Sequence, residues 1–247
     1  MRSHWLETGT GAALLCAESC QVAAVFENIF GDQFLQIGAW GTPDLFRRSA
    51  RTQRYAVVAA DRGPGVDFVS MPEDLAVASD SIDAVFLPHV LETTEDPHAV
   101  LREVDRILRP DGHVVIAGFN SWGWWGLRHH LSRGRFPAGG QRMVSESRVR
   151  DWLNLLDYNV QPGRFHHMTA PVYRLRRPVE RVADAKESDD GKCTTPAANY
   201  RGWNPLASCY LLVARREIFT VTPIRPKFRR RAQLVGSLIN PTTRNSA

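Results

Sequence analysis

Apolar residues along the chain fall into short unbroken runs and into longer segments with helical spacing. Four runs have the length and the β-branched content of buried strands, and each ends at or just before glycine, proline or a polar residue. They span residues 34–38, 55–61, 82–88 and 113–119. Weaker strand patterns follow at 159–168, where Pro162 and Gly163 interrupt the run and favour an edge strand, and at 207–223.

Helical spacing is clearest between the third and fourth of these strands. Asp96 and Pro97 have the residue types of an N-cap and a first helical position, and apolar residues then recur every three or four positions up to Leu108. Further helices are predicted at 10–30, 42–54 and 145–158. Because strands and helices alternate with short joins, the pattern predicts an α/β fold with a mostly parallel sheet flanked by helices.

The composition is that of an ordinary globular chain, with 43% hydrophobic and 23% charged residues among 247. No apolar run approaches the roughly 18 residues that cross a bilayer. Glu7 and Glu18 interrupt the N-terminal apolar stretch, so an export signal is not predicted either. The sequence therefore predicts a cytoplasmic protein without a membrane span, whose four cysteines are reduced.

The formal net charge of +5 is concentrated at the C-terminus. Residues 218–247 contain six basic residues and no acidic ones, and subtracting six from +5 leaves −1 for the remainder. Such a tail can bind phosphate groups or a membrane surface, or it can be a solvated segment that keeps the protein soluble. The stretch 178–205 is polar and rich in turn residues, which predicts a mobile insertion.

In an open parallel sheet, ligands bind at the carboxyl ends of the strands. The second predicted strand ends at Asp61, 23 residues after Gly38, and an acid at this distance from a glycine turn suits the hydroxyls of a ribose. The polar and glycine residues near the other strand ends are Gln36, Gly38 and Gly41, then Ser70, Glu73 and Asp74, then Leu87, Pro88 and His89. If the strands are parallel, all of these residues line one crevice.

The stretch 81–120, "SIDAVFLPHVLETTEDPHAVLREVDRILRPDGHVVIAGFN", resembles the central part of class I S-adenosylmethionine-dependent methyltransferases, specifically the methyltransferase type 11 group. That group has an acid before a strand, then His-x-Leu-Glu-His, Asp-Pro, a helix, Leu-(Lys or Arg)-Pro-Gly-Gly and a strand. The matching positions are Asp83, His89 to Glu92, Asp96-Pro97, Leu108 to Pro110, and Gly112. The likeness covers roughly residues 10–165 and 207–231.

The resemblance implies a Rossmann-like sheet with an added C-terminal antiparallel strand, and S-adenosylmethionine as the cofactor. It implies a methyltransferase-like domain over residues 1–222, which contains the insertion at 178–205, followed by the basic tail at 223–247. The family's first motif is acid-x-Gly-x-Gly-x-Gly. Here only Gly38 matches in register, since Gln36 replaces the acid and Trp40 replaces the second glycine. We expect a variant turn in which Trp40 points outward and Gly41 supplies local freedom.

The cofactor-binding residues that the resemblance implies are Gln36, Gly38, Gly41, Asp61, Glu73, Leu87 and His89. Glu73 substitutes for an acid that the family places at the position of Met71. No catalytic residue is assigned, because methyl transfer from a sulfonium mainly requires that the reactants be positioned. His89 is a candidate general base, although packing or capping beside the cofactor is the favoured role.

An aromatic and cationic segment follows the fourth predicted strand. Its residues could form a lid over a planar or lipid-like small-molecule acceptor, or the tryptophans could bury a helix against the core. The candidate acceptor residues are Trp122, Trp124, Trp125 and Arg128. No metal site is predicted, because the neighbouring residues of the pairs His129-His130 and His166-His167 do not face the same way.

Three functions remain open at this point, and the sequence does not predict an oligomeric state. The leading hypothesis is a methyltransferase that acts on a small-molecule acceptor by in-line transfer. The alternative is a non-catalytic Rossmann-like binding protein with a degenerate cofactor site. The third function, a nucleic-acid methyltransferase that uses the basic tail for phosphate contacts, is disfavoured. Residues 87–90 read Leu-Pro-His-Val instead of the Asn/Asp-Pro-Pro-aromatic motif found in many enzymes that methylate a base on nitrogen. Nucleic acid is therefore a disfavoured partner.

Overall fold

The computed structural model describes residues 8–42, 44–132, 142–166 and 207–217, together with Leu6 and the pair Tyr200–Arg201. Its centre is one sheet, whose first five strands are β1 (Phe30–Ile37), β2 (Arg51–Ala59), β3 (Phe68–Val69), β4 (Ile82–Pro88) and β5 (Leu108–Phe119). These strands pair in parallel in the spatial order β3-β2-β1-β4-β5. The predicted mostly parallel sheet is therefore confirmed.

An antiparallel strand extends the sheet beyond β5. This strand, β9 (Cys209–Arg216), pairs with β5 along its whole length, which confirms the C-terminal antiparallel strand. The single edge strand predicted at 159–168 is instead two short strands that pair with β9, β6 (Tyr158–Val160) and β7 (Arg164–His166). Tyr200–Arg201, within the predicted insertion, forms β8 beside β7; the rest of the insertion and the basic tail lie outside the described residues.

Helices cover both faces of the sheet. Helix α1 (Gly9–Phe26) packs on one face through an aromatic cluster in which Phe26 contacts Phe34 and Phe86. On the other face lie α2 (Pro97–Ile107) and α4 (Glu146–Leu155), whose buried residues join the second core cluster, while α3 (Trp124–Leu131) follows β5. The predicted N-cap of α2 is confirmed, since Asp96 Oδ1 accepts hydrogen bonds from the N–H groups of His98 and Ala99.

Two predicted helices differ from the structure. Of the predicted helix 42–54, residues 44–50 form turns and one 3₁₀ turn, Arg47–Ser49, and β2 begins at Arg51. The large apolar residues of this stretch, Leu45 and Phe46, are adjacent in sequence and do not form a helical stripe. The first helix ends at Phe26, and Gly31 lies inside β1, where an added Cβ would lie 2.5 Å from Cβ of Asp83. Gly31 thus allows β1 and β4 to approach each other closely.

Helix α1 is long and apolar enough, by length and composition, to cross a membrane, which the sequence analysis did not anticipate. In the structure its buried face carries the polar residues Glu18 and Gln21 next to apolar ones and packs on the sheet. This is the packing of a core helix in a folded domain. Cys20 in the same helix is disulfide-bonded, so the prediction of reduced cysteines is wrong there. Chain length and composition do not determine which thiols meet in space.

Candidate functional site

The carboxyl ends of β1, β2, β4 and β5 lie side by side, because β4 pairs with both β1 and β5 while β2 pairs with β1. Backbone hydrogen bonds join the segments that follow these strands. The N–H of Gly38 donates to the carbonyl of Val58 at 2.7 Å, and the N–H of His89 donates to the carbonyl of Ala117 at 2.9 Å. The predicted residues after β1, β2 and β4 therefore meet at one edge of the sheet, as expected for a parallel α/β fold.

The glycine turn after β1 depends on a left-handed backbone at two positions. Gly38 has φ +93° and Gly41 has φ +72°, conformations that residues with a Cβ rarely adopt. A Cβ on Gly38 would also lie 2.7 Å from Cγ2 of Val90, closer than real contacts allow. Both glycines are thus required by the shape of the turn and by its contact with the segment after β4.

Gly38→Ala is expected to lower the free energy of unfolding by about 1–3 kcal/mol from backbone strain alone, with a further loss from the contact with Val90. Denaturant unfolding measures the change. Val90→Ala in the same chain should restore only the loss that is due to the contact. Gly9→Ala is the matched control, since no atom lies within 4 Å of the added Cβ and its φ is not positive. Unchanged stability in Gly38→Ala would contradict the assigned conformation.

The side chain of Trp40 points inward, so the expectation that it points outward is wrong. It is only 8% exposed, and its Nε1 donates to Glu18 Oε2 at 2.7 Å. Its ring lies against the imidazole of His89 with centroids 4.3 Å apart, and the ring of Phe119 lies against the same imidazole at 4.1 Å. The reason is the hydrogen bond: the buried carboxylate of Glu18 needs donors, and the indole N–H supplies one.

His89 lies between two buried carboxylates. Its Nε2 is 2.7 Å from Glu18 Oε1, and its Nδ1 is 2.9 Å from Glu92 Oε2. All three side chains are 2% exposed. The second oxygen of Glu92 accepts the N–H of Phe119 at 2.5 Å, and His89 itself has φ +53°. Since both ring nitrogens face acceptors, the imidazole donates from both and is protonated.

The electrostatics of this Glu18–His89–Glu92 cluster support a charged imidazole. Burial alone would lower the pKa of His89, but the two carboxylates raise it to about 9. Burial likewise opposes the ionised form of Glu18, but attraction and hydrogen bonding to His89 overcome it and lower the pKa of Glu18. The two carboxylates surround one imidazolium, and the charge of the nearby His166 also lowers the pKa of Glu18. His89 has no nitrogen left to accept a proton, so in this arrangement it packs and caps instead of acting as a base.

The amide of Gln36 is fully engaged within the turn. Its Nε2 donates to the carbonyl of Gly38 at 2.8 Å, and its Oε1 accepts from the hydroxyl of Tyr55 at 2.5 Å. At 5% exposure it has little surface for a ligand. Gln36 therefore stabilises the turn, whereas the acid of the family motif would also offer a negative charge.

The other predicted cofactor residues differ in how accessible they are. Asp61 is exposed just beyond β2. Glu73 accepts a hydrogen bond from Thr94 Oγ1, which connects it to the segment after β4, and Met71 is 58% exposed. The side chain of Leu87 is fully buried in the core, so only its backbone can face a ligand. Asp61 is thus the predicted residue most open to a ribose.

The groups around the crevice suit a cationic ligand, but the cavity beside the glycine turn is too small to hold one. The carboxylates of Glu18 and Glu92 and the rings of Trp40 and Phe119 surround a positive charge, which His89 supplies here. The cavity against the turn, lined in part by Gln36, Trp40, Thr42 and Tyr55, has a volume of about 20 Å³. Small-molecule pockets have volumes of about 300–1,000 Å³. A nucleoside-sized cofactor therefore fits this edge only if Trp40 moves.

The segment after β5 contributes both core and surface. Trp125 is fully buried and stacks on Phe119 with centroids 5.6 Å apart, so it belongs to the core and offers no surface to an acceptor. Trp122 and Trp124 are 73% and 51% exposed. Arg128 is half-buried in the same helix. Of the predicted acceptor residues, Trp122 and Trp124 are thus exposed and Arg128 is partly exposed.

Glu18 and Glu92 are the site residues that the sequence analysis did not assign. Glu18 was interpreted only as an interruption of the N-terminal apolar stretch, and Glu92 only as part of the His-Val-Leu-Glu motif. The signal that could have identified Glu18 is its position: it lies four residues from Leu14 and from Val22, on the apolar face of a predicted helix. A carboxylate on such a face needs a buried partner.

Comparison with known proteins supports the family resemblance. Residues 46–116 match a family model described as a methyltransferase domain. The chain is 35% identical over 143 residues to the uncharacterized protein YafS of Escherichia coli, which covers 57% of this chain and 59% of YafS. It is 32% identical over 114 residues to a demethylmenaquinone methyltransferase of Clavibacter sepedonicus, over 46% of this chain and 38% of that protein. The matches thus span about two fifths to three fifths of the length of these relatives.

A solved structure shows the same fold at greater coverage. It is a methyltransferase dependent on S-adenosylmethionine from Thermotoga maritima, described as a possible histamine N-methyltransferase. The two folds superpose with a TM-score of 0.60 over 83% of this chain and 94% of the other, at 13% sequence identity. Residues 46–116 therefore match a methyltransferase domain, and the chain has the fold of this solved S-adenosylmethionine-dependent methyltransferase.

Proposed function

We propose that the protein transfers a methyl group from S-adenosylmethionine, in line, to a small-molecule acceptor. The observation that supports this most directly is the buried Glu18–His89–Glu92 cluster at the carboxyl edge of the sheet. Its carboxylates and its flanking aromatic rings suit a cationic donor, and buried titratable groups at the carboxyl ends of strands are common at functional sites. The match to a methyltransferase domain supports the same assignment.

The residues we assign to the cofactor differ in role. When bound, S-adenosylmethionine supplies a methyl group on a sulfonium centre, which a nucleophile can displace. Asp61 would hold the ribose hydroxyls, and the backbone of Gly38 and Leu87 would face the methionine end. Glu73 would lie on the adenine side. Gln36 and Gly41 keep the turn in shape, while Trp40 and Phe119 exclude water from the buried charges.

The protonation of His89 constrains the acceptor. Both of its N–H groups are donated to carboxylates, so among the described residues of the cluster no neutral base faces the crevice. An acceptor that ionises easily, such as a quinol or phenol hydroxyl, can lose its proton to water without such a base. The relative named a demethylmenaquinone methyltransferase acts on a quinone. We therefore propose a quinol-like acceptor, which would bind against Trp122, Trp124 and Arg128.

The proposal is tested by incubating full-length protein with methyl-labelled S-adenosylmethionine and a short-chain naphthoquinol. We expect labelled methylated quinol, in which the methyl group replaces a proton of the acceptor, and we expect Trp122→Ala with Trp124→Ala to raise KM for the acceptor about tenfold while kcat changes little. Leu155→Ala, which removes an exposed apolar side chain from α4, is the matched control. If the protein binds cofactor but labels no quinol or phenol, the acceptor class is wrong.

One observation favours the alternative of a non-catalytic protein. Trp40 fills the turn and hydrogen-bonds to Glu18, which leaves a cavity of about 20 Å³. A fold that keeps this arrangement permanently would retain the scaffold and lose the cofactor. The two functions are distinguished by whether S-adenosylhomocysteine binds, since the non-catalytic protein would show no binding at millimolar ligand.

The cytoplasm is the location that we propose, on the ground that the cofactor is a cytoplasmic metabolite. The disulfide at Cys20 opposes this, because reducing compartments keep most thiols reduced. Alkylation of the protein in freshly lysed cells, followed by mass spectrometry, measures the state of Cys20. A reduced thiol supports the cytoplasm, and a fully oxidised one contradicts it.

A further inference from the structure

Helix α3 and Trp122, two residues before it, expose several large apolar side chains. Trp122, Trp124, Leu127 and Leu131 are 73%, 51%, 51% and 77% exposed. Trp124, Leu127 and Leu131 have the spacing i, i+3, i+7 and therefore share one face of the helix. Single exposed apolar residues are common, but three on one helix face, with a fourth two residues before the helix, indicate a binding site. We call these four residues the α3 patch.

The other face of α3 holds the patch at a fixed place in the fold. Trp125 is fully buried against Phe119, and His129 is 8% exposed. Phe119 in turn contacts the imidazole of His89. The patch therefore lies at the carboxyl edge of the sheet, on the outer side of the helix that borders the crevice. The patch shares Trp122 and Trp124 with the proposed acceptor site and extends from it along the helix through Leu127 and Leu131.

The charge of this part of the sequence indicates what the patch binds. Between Gly112 and Ser145 there is no Asp or Glu, whereas arginine occurs at 128, 133, 135 and 142. A second copy of the chain would bring an equally basic segment against this one, which is unfavourable. Anionic phospholipid provides both an apolar phase for the side chains and negative charge for the arginines. Tryptophan is also the side chain most enriched at the boundary between lipid and water.

We propose that the α3 patch docks the protein on an anionic lipid surface, with Trp122, Trp124, Leu127 and Leu131 inserted at the level of the headgroups. The docking is peripheral and reversible, since it uses one short helix face. It does not depend on the proposed methyl transfer, although a surface-bound enzyme could take a lipid-like acceptor directly from the bilayer.

Vesicle flotation of the full-length protein tests the proposal. We expect it to float with vesicles of phosphatidylcholine containing about one third phosphatidylglycerol, and to remain unbound with phosphatidylcholine alone. Leu127→Ser with Leu131→Ser should reduce binding about tenfold or more, as should Trp122→Ser with Trp124→Ser. The matched control is Phe30→Ser with Leu155→Ser, which removes two side chains that are 69% and 82% exposed elsewhere on the surface.

Three results would overturn the proposal. These are an absence of flotation with anionic vesicles, equal flotation of the patch variants and the control, and concentration-dependent self-association that the patch substitutions abolish without any vesicle binding. The last result would assign the patch to an interface between copies. Circular dichroism establishes that each variant is folded. S-adenosylhomocysteine binding by Leu127→Ser with Leu131→Ser should equal that of the wild type, so loss of docking and loss of the cofactor site are separate observations.

Discussion

Replacing Glu18 with alanine is expected to lower the free energy of unfolding by about 3–5 kcal/mol. The substitution removes the carboxylate that accepts from His89 Nε2 and from Trp40 Nε1, each at 2.7 Å. It leaves the buried imidazolium with one carboxylate and removes the carboxylate that accepts from the indole N–H, and both losses carry a desolvation cost. Denaturant unfolding, monitored by circular dichroism, measures the change.

Two further variants separate charge from packing. Glu18→Gln keeps an acceptor oxygen and nearly the same volume but removes the charge, so it should lose most of the stability that Glu18→Ala loses. Glu27→Ala removes an exposed carboxylate at the end of the same helix and should leave stability nearly unchanged. Equal, small effects of Glu18→Ala and Glu27→Ala would contradict the buried ionic cluster.

The same cluster predicts how stability depends on pH. The pKa of His89 rises from 6.5 to about 9 on folding, so the stabilisation is complete below pH 6.5 and is lost as pH rises through 9. The loss amounts to at most about 3 kcal/mol. The lowered pKa of Glu18 acts in the opposite direction: its stabilisation is present above pH 4.5 and is lost as pH falls. Unfolding should therefore be hardest between pH 4.5 and 6.5, and His89→Gln should flatten the alkaline limb.

Trp40→Gly combined with Gln36→Asp is expected to raise the affinity for S-adenosylhomocysteine by about tenfold or more. If the wild type binds the cofactor as proposed, Trp40 must first leave the turn, and the population of the open form would reduce the apparent affinity. Glycine removes the indole that closes the turn. Aspartate restores a charge for the amino group of the ligand, which the amide of Gln36 lacks. Calorimetric titration measures the dissociation constants.

Single variants show which of the two residues matters. Trp40→Gly alone should account for most of the gain, because it opens the space. Trp40→Phe keeps an aromatic ring without the N–H donor to Glu18 and tests the hydrogen bond separately from the volume. Trp124→Gly removes an exposed tryptophan and should not change affinity. If the double variant folds but binds no better than the wild type, the cofactor does not lie over Gly38.

The fold could be predicted from local patterns wherever these were strong. The strand at 82–88 and the N-cap at Asp96 were predicted at the positions where they occur. The segment 42–54 was not, because its strand half is stabilised by pairing with β1 and by stacking of Tyr55 on Phe34, contacts that sequence spacing does not contain.

The site was predicted as a set of positions but not as a chemical arrangement. Gly38, Asp61 and His89 were identified because glycine turns and strand ends leave a signal at fixed spacing. The burial of Trp40 could not be predicted, since it depends on Glu18, which is 22 residues away in another element. The protonation of His89 has the same origin, because one of its two carboxylate partners is 71 residues distant.

The most direct test of the cofactor crevice is calorimetric titration of S-adenosylhomocysteine into the wild-type protein and into Asp61→Ala. Asp61 lies on the surface and contributes nothing to the core, so its loss should not affect folding. We predict saturable binding to the wild type below millimolar concentration and binding at least about tenfold weaker in Asp61→Ala, because the ribose hydroxyls lose their carboxylate. No binding by the wild type at millimolar ligand, or equal binding by both proteins, would contradict the account.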